Sequence, residues 1–274
     1  MPVALAFGAL PGYVQPGSPV AEGTSVSATP IKPTSDDHSR WQQPKVAWGI
    51  HVVTASGLGM GMLALLAVLD NNPKAALLWL TAAQILDGID GPVARACDVR
   101  NQLPRIDGFI LDLVVDFVTC VVVPAAFLYR FDLVPRPLAG VLVGLILATT
   151  ALWFSRTDIQ GDDHWFRGFP GVWNLIVPSL YLLSINRTAA AIVVTTLAFA
   201  QLTDLPFVHP VRVKAMRNVT LPVMMVWVAA LTVGVLKFPD APRQLHPVLI
   251  ACPIYFAALT LRQWVIESRR VTIA

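Results

Sequence analysis

The chain has 274 residues, of which 55% are hydrophobic and only 14% charged, and its formal net charge is +3. A soluble domain carries about a quarter charged residues, so this composition, with a mean hydropathy of +0.62, is typical of a polytopic membrane protein. The small net charge argues against a nucleic-acid partner, which would require a dense basic patch. The three cysteines are dispersed, so neither a disulfide framework nor a thiolate metal site is expected.

The chain divides into two parts by composition. Residues 1–44 are rich in Pro, Ser, Thr and Gly, which predicts a disordered tail. From residue 45 to residue 274, apolar runs of membrane-spanning length alternate with short polar breaks, which predicts one all-α integral membrane domain. We expect about eight transmembrane helices, at residues 47–69, 74–91, 108–130, 137–154, 170–186, 188–204, 218–237 and 246–265.

The basic residues predict the orientation of these helices. With the amino terminus in the cytoplasm, 14 of the 20 Lys and Arg residues fall in cytoplasmic segments and the other six outside. Because basic residues concentrate in cytoplasmic loops, we expect both termini, and therefore the tail, on the cytoplasmic side. The same orientation places the loop at residues 92–107, and the ends of helices 2 and 3 that flank it, at the cytoplasmic face.

Two pairs of aspartates lie at those helix ends. Asp87 and Asp90 close the second helix, and Asp112 and Asp116 lie near the start of the third, among apolar residues. Since residues three or four apart share one face of a helix, each pair is expected to point in one direction. Four acids at this depth are costly, so a bound cation is predicted. Helix 2 is expected to end at residues 87–91, where the negative end of its dipole also favours a cation.

The chemistry of this constellation indicates phosphoryl transfer. Four carboxylates form an all-oxygen site of the kind that Mg²⁺ or Mn²⁺ prefers, and without histidine it is unsuited to zinc. Two ions about 4 Å apart could clamp a phosphate and activate both nucleophile and leaving group. Gly88 and Gly91 leave the backbone accessible to a phosphate, and Arg95 offers a planar fork for its oxygens. At lipid-headgroup depth, such a site points to lipid synthesis.

The same residues resemble the signature of the CDP-alcohol phosphotransferase family. The matching positions are Asp87, Gly88, Asp90, Gly91, Ala94, Arg95, Gly108, Asp112 and Asp116. The resemblance implies a site of two divalent ions held by the four aspartates. It implies that Gly88, Gly91, Ala94, Arg95 and Gly108 bind CDP, and that Asp116 takes the proton from the acceptor alcohol. Basic residues near the start of helix 7 meet phosphate in members of this family, which makes Arg212 and Arg217 candidates for lipid phosphate.

The spacer between Arg95 and Gly108 is twelve residues long, longer than the common family spacer. It resembles the bacterial phosphatidylcholine synthase branch, as do residues 103–108, 168–174 and 207–213. Enzymes of that branch join choline to CDP-diacylglycerol and release CMP. The resemblance therefore implies these two substrates, a bacterial inner-membrane location and, as in related enzymes, a homodimer.

A choline site is expected to contain aromatic rings, because a quaternary ammonium group is attracted to their faces. The candidates cluster around the segment between helices 4 and 5, and they are Trp153, Trp165, Trp173, Asn174 and Tyr181, with Phe154 and Phe169 nearby. Tryptophan also concentrates at membrane interfaces, so the rings alone leave both interpretations open. His51 and Thr54 on helix 1 could line the pocket or pack between helices.

Two other functions remain open at the level of sequence. A related phosphotransferase could use another acceptor, such as serine, because nothing in the signature itself selects choline. A membrane cation transporter would also carry acids in its helices. Transporters, however, usually bind their ions near the bilayer midplane between structural repeats, whereas these aspartates cluster at one face and no internal repeat is visible.

Overall fold

The structure is a computed structural model that describes residues 44–103, 105–159, 161 and 164–273. Within these residues, eight helices have ten residues or more. They are α1 (Pro44–Leu69), α2 (Pro73–Ala96), α3 (Gly108–Arg130), α4 (Arg136–Phe154), α5 (Trp173–Leu182), α6 (Arg187–Ala200), α7 (Arg217–Leu236) and α8 (His246–Ile273). The predicted tail at residues 1–44 lies outside the described residues, apart from Pro44, which begins α1.

Each of the eight predicted segments contains a helix, and five helices are long and apolar enough to cross a membrane. These are α1, α3, α4, α7 and α8 with the 3₁₀ turn before it, Arg243–Leu245. α5 and α6 have 10 and 14 residues, fewer than the roughly 20 that cross a bilayer. The described chain is therefore an all-α, multi-pass membrane protein. Its β-structure, within the described ranges, is one antiparallel pair, β1 (Phe166–Arg167) with β2 (Pro206–Phe207).

The sequence predicted that α2 ends at the aspartates, and this prediction was wrong. The helix continues through Pro92 to Ala96, with Arg95 in its last turn. Proline removes one backbone donor and disfavours helix, but Ala94 and Cys97 pack in a small apolar cluster with Ala47 of α1, and this packing holds the last turns. Asp87 and Asp90 therefore lie inside the helix, and the negative end of its dipole lies beyond them.

α3 is built so that its acids start one turn inside the helix. The Asp107 carboxylate caps it by accepting hydrogen bonds from the backbone N–H groups of Phe109 (2.9 Å) and Ile110 (3.3 Å). Immediately after Asp116 the helix widens into a π-helical stretch, Phe117–Val122, a feature frequent at functional sites.

Glycines let α1 lie close against α3. A Cβ atom on Gly57 would lie 2.7 Å from Val115 Cγ1, and one on Gly61 would lie 3.1 Å from Thr119 Cγ2. Small residues of this kind let membrane helices approach one another closely. The contact brings the α1 face that carries His51 and Thr54 beside the acid-bearing part of α3.

The core lies between the helices, and the outer surface is apolar. Residues from all eight helices contribute to one buried cluster, which includes Leu77, Phe127, Ile146 and Trp227. Many large apolar side chains instead point outward; Val141, for example, is 70% exposed. In a membrane these exposed side chains contact lipid, where an apolar surface carries no cost.

Candidate active site

Three carboxylates meet where α2 and α3 face each other. One oxygen each from Asp87, Asp112 and Asp116 lie within 4.8 Å of one another, and all three side chains are half-buried. Asp112 and Asp116 are four residues apart, so one face of α3 presents both to α2. Three like charges this close repel one another unless a cation lies among them. The donor set is all oxygen, which fits a hard divalent ion such as Mg²⁺ or Mn²⁺.

Asp90 lies beside this group of three rather than within it. Its side chain is 7% exposed, and it lines a small cavity together with Asp87 and Asp112. Thr54 and Gly57 of α1 line the same cavity, so Thr54 is a pocket residue in this structure. All four predicted aspartates thus reach one place, and three of them are close enough to share an ion.

Two arginines supply positive charge to the cluster. Arg212 and Arg95 both act electrostatically on Asp112. The Arg95 guanidinium lies back over the helix that carries it, because a Cβ atom on Gly91 would be 3.3 Å from Arg95 Nη1. Glycine at this position leaves room for that guanidinium next to the backbone of α2. A group with two or more negative oxygens could lie between these arginines and an ion held by the carboxylates.

The remaining signature residues have distinct surroundings. A Cβ atom on Gly88 would meet nothing within 4 Å, so the α2 backbone is open there, whereas one on Gly108 would lie 3.3 Å from His51 Cε1. His51 is buried, and its Nε2 has no hydrogen-bond partner within the described part of the chain. Ala94 belongs to the apolar cluster at the start of α1, and Arg217 begins α7.

No protein-family model matches the chain, but curated relatives match most of it. A phosphatidylcholine synthase of Pseudomonas aeruginosa is 37% identical over 222 residues, which cover 80% of this chain and 93% of the relative. A phosphatidylcholine synthase of Agrobacterium fabrum is 34% identical over 76% of this chain and 87% of its own. One of Bradyrhizobium diazoefficiens is 38% identical over 80% of both chains.

The chain belongs to the phosphatidylcholine synthase family. The aligned regions include far more residues than the nine signature positions. Membership of the family therefore does not depend on the signature alone.

In this family member, the five residues predicted to bind choline do not form one pocket. Trp153 and Trp173 are buried, and both indole N–H groups are already bound within the protein. Trp153 Nε1 donates to the backbone oxygen of Arg167 (2.7 Å), and Trp173 Nε1 donates to Thr150 Oγ1 (3.1 Å). Trp173 has 0% exposure, so no part of its ring is open to a ligand.

The other three candidates are dispersed. Trp165 is buried in a separate apolar cluster with Val208 and Val213. Tyr181 packs against Phe127 and Phe131, at the opposite end of α3 from the aspartates. Since Trp173 and Tyr181 are eight residues apart on one helix, about 12 Å of helix length separates them, and a shared pocket is not compatible with α5.

The fifth candidate, Asn174, is held by a residue that the sequence pattern did not single out. Its Nδ2 donates to Oε1 of Gln84, which lies one turn before Asp87 on α2. Asn174 Oδ1 is buried and, among the described residues, has no hydrogen-bond partner. The signal in the sequence is the i,i+3 spacing of Gln84 and Asp87, which predicts one helix face for both.

A buried polar network fixes the segment that leads into α5. Gln201 is fully buried and accepts hydrogen bonds from the hydroxyl groups of Thr149 (2.7 Å) and Thr150 (3.1 Å). Gly168 lies in this segment at φ +88°, and a Cβ atom on it would be 2.5 Å from the Gln201 backbone oxygen. Only glycine tolerates this combination of left-handed backbone and close approach. The network therefore ties α4, α6 and the entry to α5 together.

His209 brings a neutral ring to the arginine side of the site. Its Nδ1 accepts hydrogen bonds from the backbone N–H groups of Val211 (3.2 Å) and Arg212 (3.3 Å). Burial, together with the charges of Arg212 and Arg95, lowers the pKa of His209 to about 4. The imidazole is therefore neutral at pH 7, and because Nδ1 accepts, the proton is on Nε2.

Proposed function

We propose that this protein is an enzyme that transfers the phosphatidyl group of CDP-diacylglycerol to choline, forming phosphatidylcholine and releasing CMP. The observation that carries the proposal is the convergence of Asp87, Asp112 and Asp116 from two helices into one all-oxygen site. Membership of the phosphatidylcholine synthase family supports the product, because relatives of that name are 34% to 38% identical over most of the chain.

We infer that the four aspartates hold two divalent ions, Mn²⁺ or Mg²⁺. Asp87, Asp112 and Asp116 lie close enough to share an ion, and Asp90 lines the same cavity, which supports its role as the fourth ligand. Bound there, the ions would neutralise the phosphate charge and stabilise the leaving oxygen of CMP.

Asp116 is proposed as the general base. Its carboxylate takes the proton from the choline hydroxyl. The choline oxygen forms a bond to the phosphatidyl phosphorus, and the bond between that phosphorus and the CMP oxygen breaks. One Asp116 oxygen lies 3.6 Å from Cys120 Sγ, one turn further along α3, a weak contact that supports a fixed orientation of the carboxylate.

The nucleotide and the lipid phosphate are proposed to lie on the arginine side of the aspartates. The open backbone at Gly88 and the Arg95 guanidinium above Gly91 support CDP binding there. The proposed CDP residues are Gly88, Gly91, Ala94, Arg95 and Gly108. Arg212 and Arg217 are proposed for the lipid phosphate, and the charge of Arg212 already acts on Asp112.

Choline is proposed to bind between α4 and the start of α5. Asn174 supports this position, because its partner Gln84 is one turn from Asp87 and its Oδ1 is free to accept a hydrogen bond. Trp153 and Trp173 are both buried and would support this position from behind, whereas Trp165 lies in a separate apolar cluster and is not part of it. Tyr181 has no part in the proposal.

We propose that residues 45–274 cross the bacterial inner membrane eight times, with both termini and the aspartates on the cytoplasmic side. The distribution of Lys and Arg supports this orientation. α5 and α6 would cross as a short pair with their flanking residues. A homodimer is proposed from the family resemblance.

The test uses membranes that contain the full chain, with CDP-diacylglycerol, Mn²⁺ and either labelled choline or labelled serine. We expect phosphatidylcholine and CMP in equal amounts with choline, and neither product after chelation of the metal. Lipid formed from serine without choline would reject choline as the acceptor. Choline uptake into sealed vesicles without CMP release would instead indicate a transporter.

A further inference from the structure

Four aromatic rings from three separate segments touch one another in a row, which we call the aromatic row: Phe117, Phe154, Trp153 and Phe166. The ring centroids of successive members are 6.2, 5.5 and 5.7 Å apart. Their planes meet at 63°, 50° and 64°. Successive rings therefore meet edge to face or tilted, the arrangement that aromatic pairs prefer, and their faces point in different directions.

Each end of the row is connected to the site through a neighbouring residue. At one end, Phe117 directly follows Asp116 on α3. At the other end, Phe166 stacks on His209, with centroids 5.0 Å apart and planes at 20°. His209 accepts the backbone N–H of Arg212, whose charge acts on Asp112. The row therefore runs from the residue after the proposed base to the histidine that contacts the backbone of the proposed phosphate-binding arginine.

Three rings of the row are not fully enclosed by the protein. Phe117, Phe154 and Phe166 are half-buried, while Trp153 behind them is 3% exposed and anchored through its N–H to the Arg167 backbone. Phe154 further borders the entry to α5, since a Cβ atom on Gly171 would lie 3.9 Å from Phe154 Cε1. The ring of Trp173, in contrast, is fully enclosed.

We propose that Phe117, Phe154 and Phe166 bind the trimethylammonium group of choline and make the enzyme select a quaternary ammonium over amines that carry N–H groups. A quaternary ammonium has no hydrogen-bond donor, so ring faces are the surface that recognises it best. Because a chain of only two carbon atoms joins this group to the hydroxyl, its binding site must lie close to the proposed base, and the row begins at Phe117, the residue after Asp116. The inference rests on the proposed transfer to choline.

The test compares full-length wild-type protein with Phe154→Leu and Phe166→Leu, which keep an apolar side chain and remove the ring. We expect the KM for choline to rise roughly tenfold in each variant, with the KM for CDP-diacylglycerol unchanged. The preference for choline over dimethylaminoethanol, whose ammonium carries one N–H, should fall by a similar factor. Phe154→Tyr, which keeps the ring face, should restore the wild-type KM for choline.

The matched control is Phe131→Leu. Phe131 is also half-buried and belongs to an aromatic cluster, with Phe127 at 4.4 Å and Tyr181 at 6.0 Å, but that cluster lies at the opposite end of α3. We expect the Phe131 variant to keep the wild-type KM for both substrates and the wild-type preference between alcohols.

The outcomes separate this inference from the proposed function. If the wild-type protein makes phosphatidylcholine from choline and both Leu variants keep its KM for choline, the aromatic site is rejected while the function stands. If the KM for both substrates rises equally, the rings have a packing role and the inference is also rejected. If the wild-type protein makes lipid only from serine, the proposed function itself is wrong. Should Phe154→Leu fail to fold, Phe166→Leu, which lies outside the helices, decides alone.

Discussion

The two ends of α3 show how one helix meets two different demands. Its first half, Gly108–Asp116, faces α2 with two carboxylates that join Asp87 within 4.8 Å. Its last part, Val123–Arg130, packs Phe127 against Phe131 and Tyr181 at centroid distances of 4.4 and 5.0 Å. Phe127 has 0% exposure. One end collects like charges that disfavour the fold, and the other end is close-packed.

The difference shows that stability and chemistry are separated along the helix. Close packing without voids stabilises a fold, and it does so at the end of α3 that is remote from the aspartates. At the other end, the proposed divalent ions would offset the repulsion between the converging carboxylates. Substitutions at the aspartate end should therefore lower activity, whereas substitutions at the close-packed end should lower stability.

The largest effect is expected from Asp116→Asn, which keeps the shape of the side chain but removes the proposed base. Because a positioned base contributes about 10²- to 10⁴-fold to a rate, turnover should fall roughly a thousandfold. The measurement is incorporation of labelled choline into lipid. Activity within tenfold of the wild-type level would rule out Asp116 as the base.

The packed end is best disrupted by Phe127→Ala. Removing a fully buried phenyl ring leaves a cavity and should lower the free energy of unfolding by roughly 3 kcal/mol, seen as a lower melting temperature in detergent. Turnover per folded molecule should remain at the wild-type level. A large loss of turnover without a loss of stability would contradict the separation of the two ends.

Asp112→Asn should change stability in opposite directions with and without metal. In EDTA the variant should melt at a higher temperature than the wild-type protein, because one of three repelling charges is gone. Mn²⁺ at a hundred times its dissociation constant should stabilise the wild-type protein by about 2.7 kcal/mol and the variant by much less. Equal stabilisation of both proteins by Mn²⁺ would place the ion elsewhere.

The smallest effect is expected for Arg136→Ala, just beyond the packed end. Arg136 lies 3.1 Å from Asp132, but the two side chains are 59% and 42% exposed. An ion pair this exposed contributes less than about 1 kcal/mol, so thermal unfolding should change little and turnover not at all. A larger loss of stability would show that the contacts of Arg136 with Tyr129 matter more than the ion pair, since Arg136 Nη1 donates to the Tyr129 backbone oxygen (3.0 Å) and its guanidinium carbon lies 4.8 Å from the centroid of that ring.

Much of the fold was predictable, because apolar runs and polar breaks are local properties of the chain. The four-residue spacing of Asp112 and Asp116 is enough to predict that both lie on one helix face. The end of α2 was not predictable, because packing of Ala94 and Cys97 against α1 outweighs the local effect of Pro92. The dispersion of the choline candidates was not predictable either. The positions of aromatic residues in the sequence do not show which rings the fold encloses, and the ring of Trp173 is fully enclosed.

The sequence by itself determined the helices, the acid pairs and the resemblance to one enzyme family, since each depends on spacing along the chain. Tertiary structure decided which side chains from distant parts of the chain contact one another. Gln84 reaches Asn174, and Phe166 reaches both Trp153 and His209, only because β1 pairs with β2 and the helices pack as they do. Contacts between residues far apart in sequence depend on how whole elements pack, and no local pattern records that.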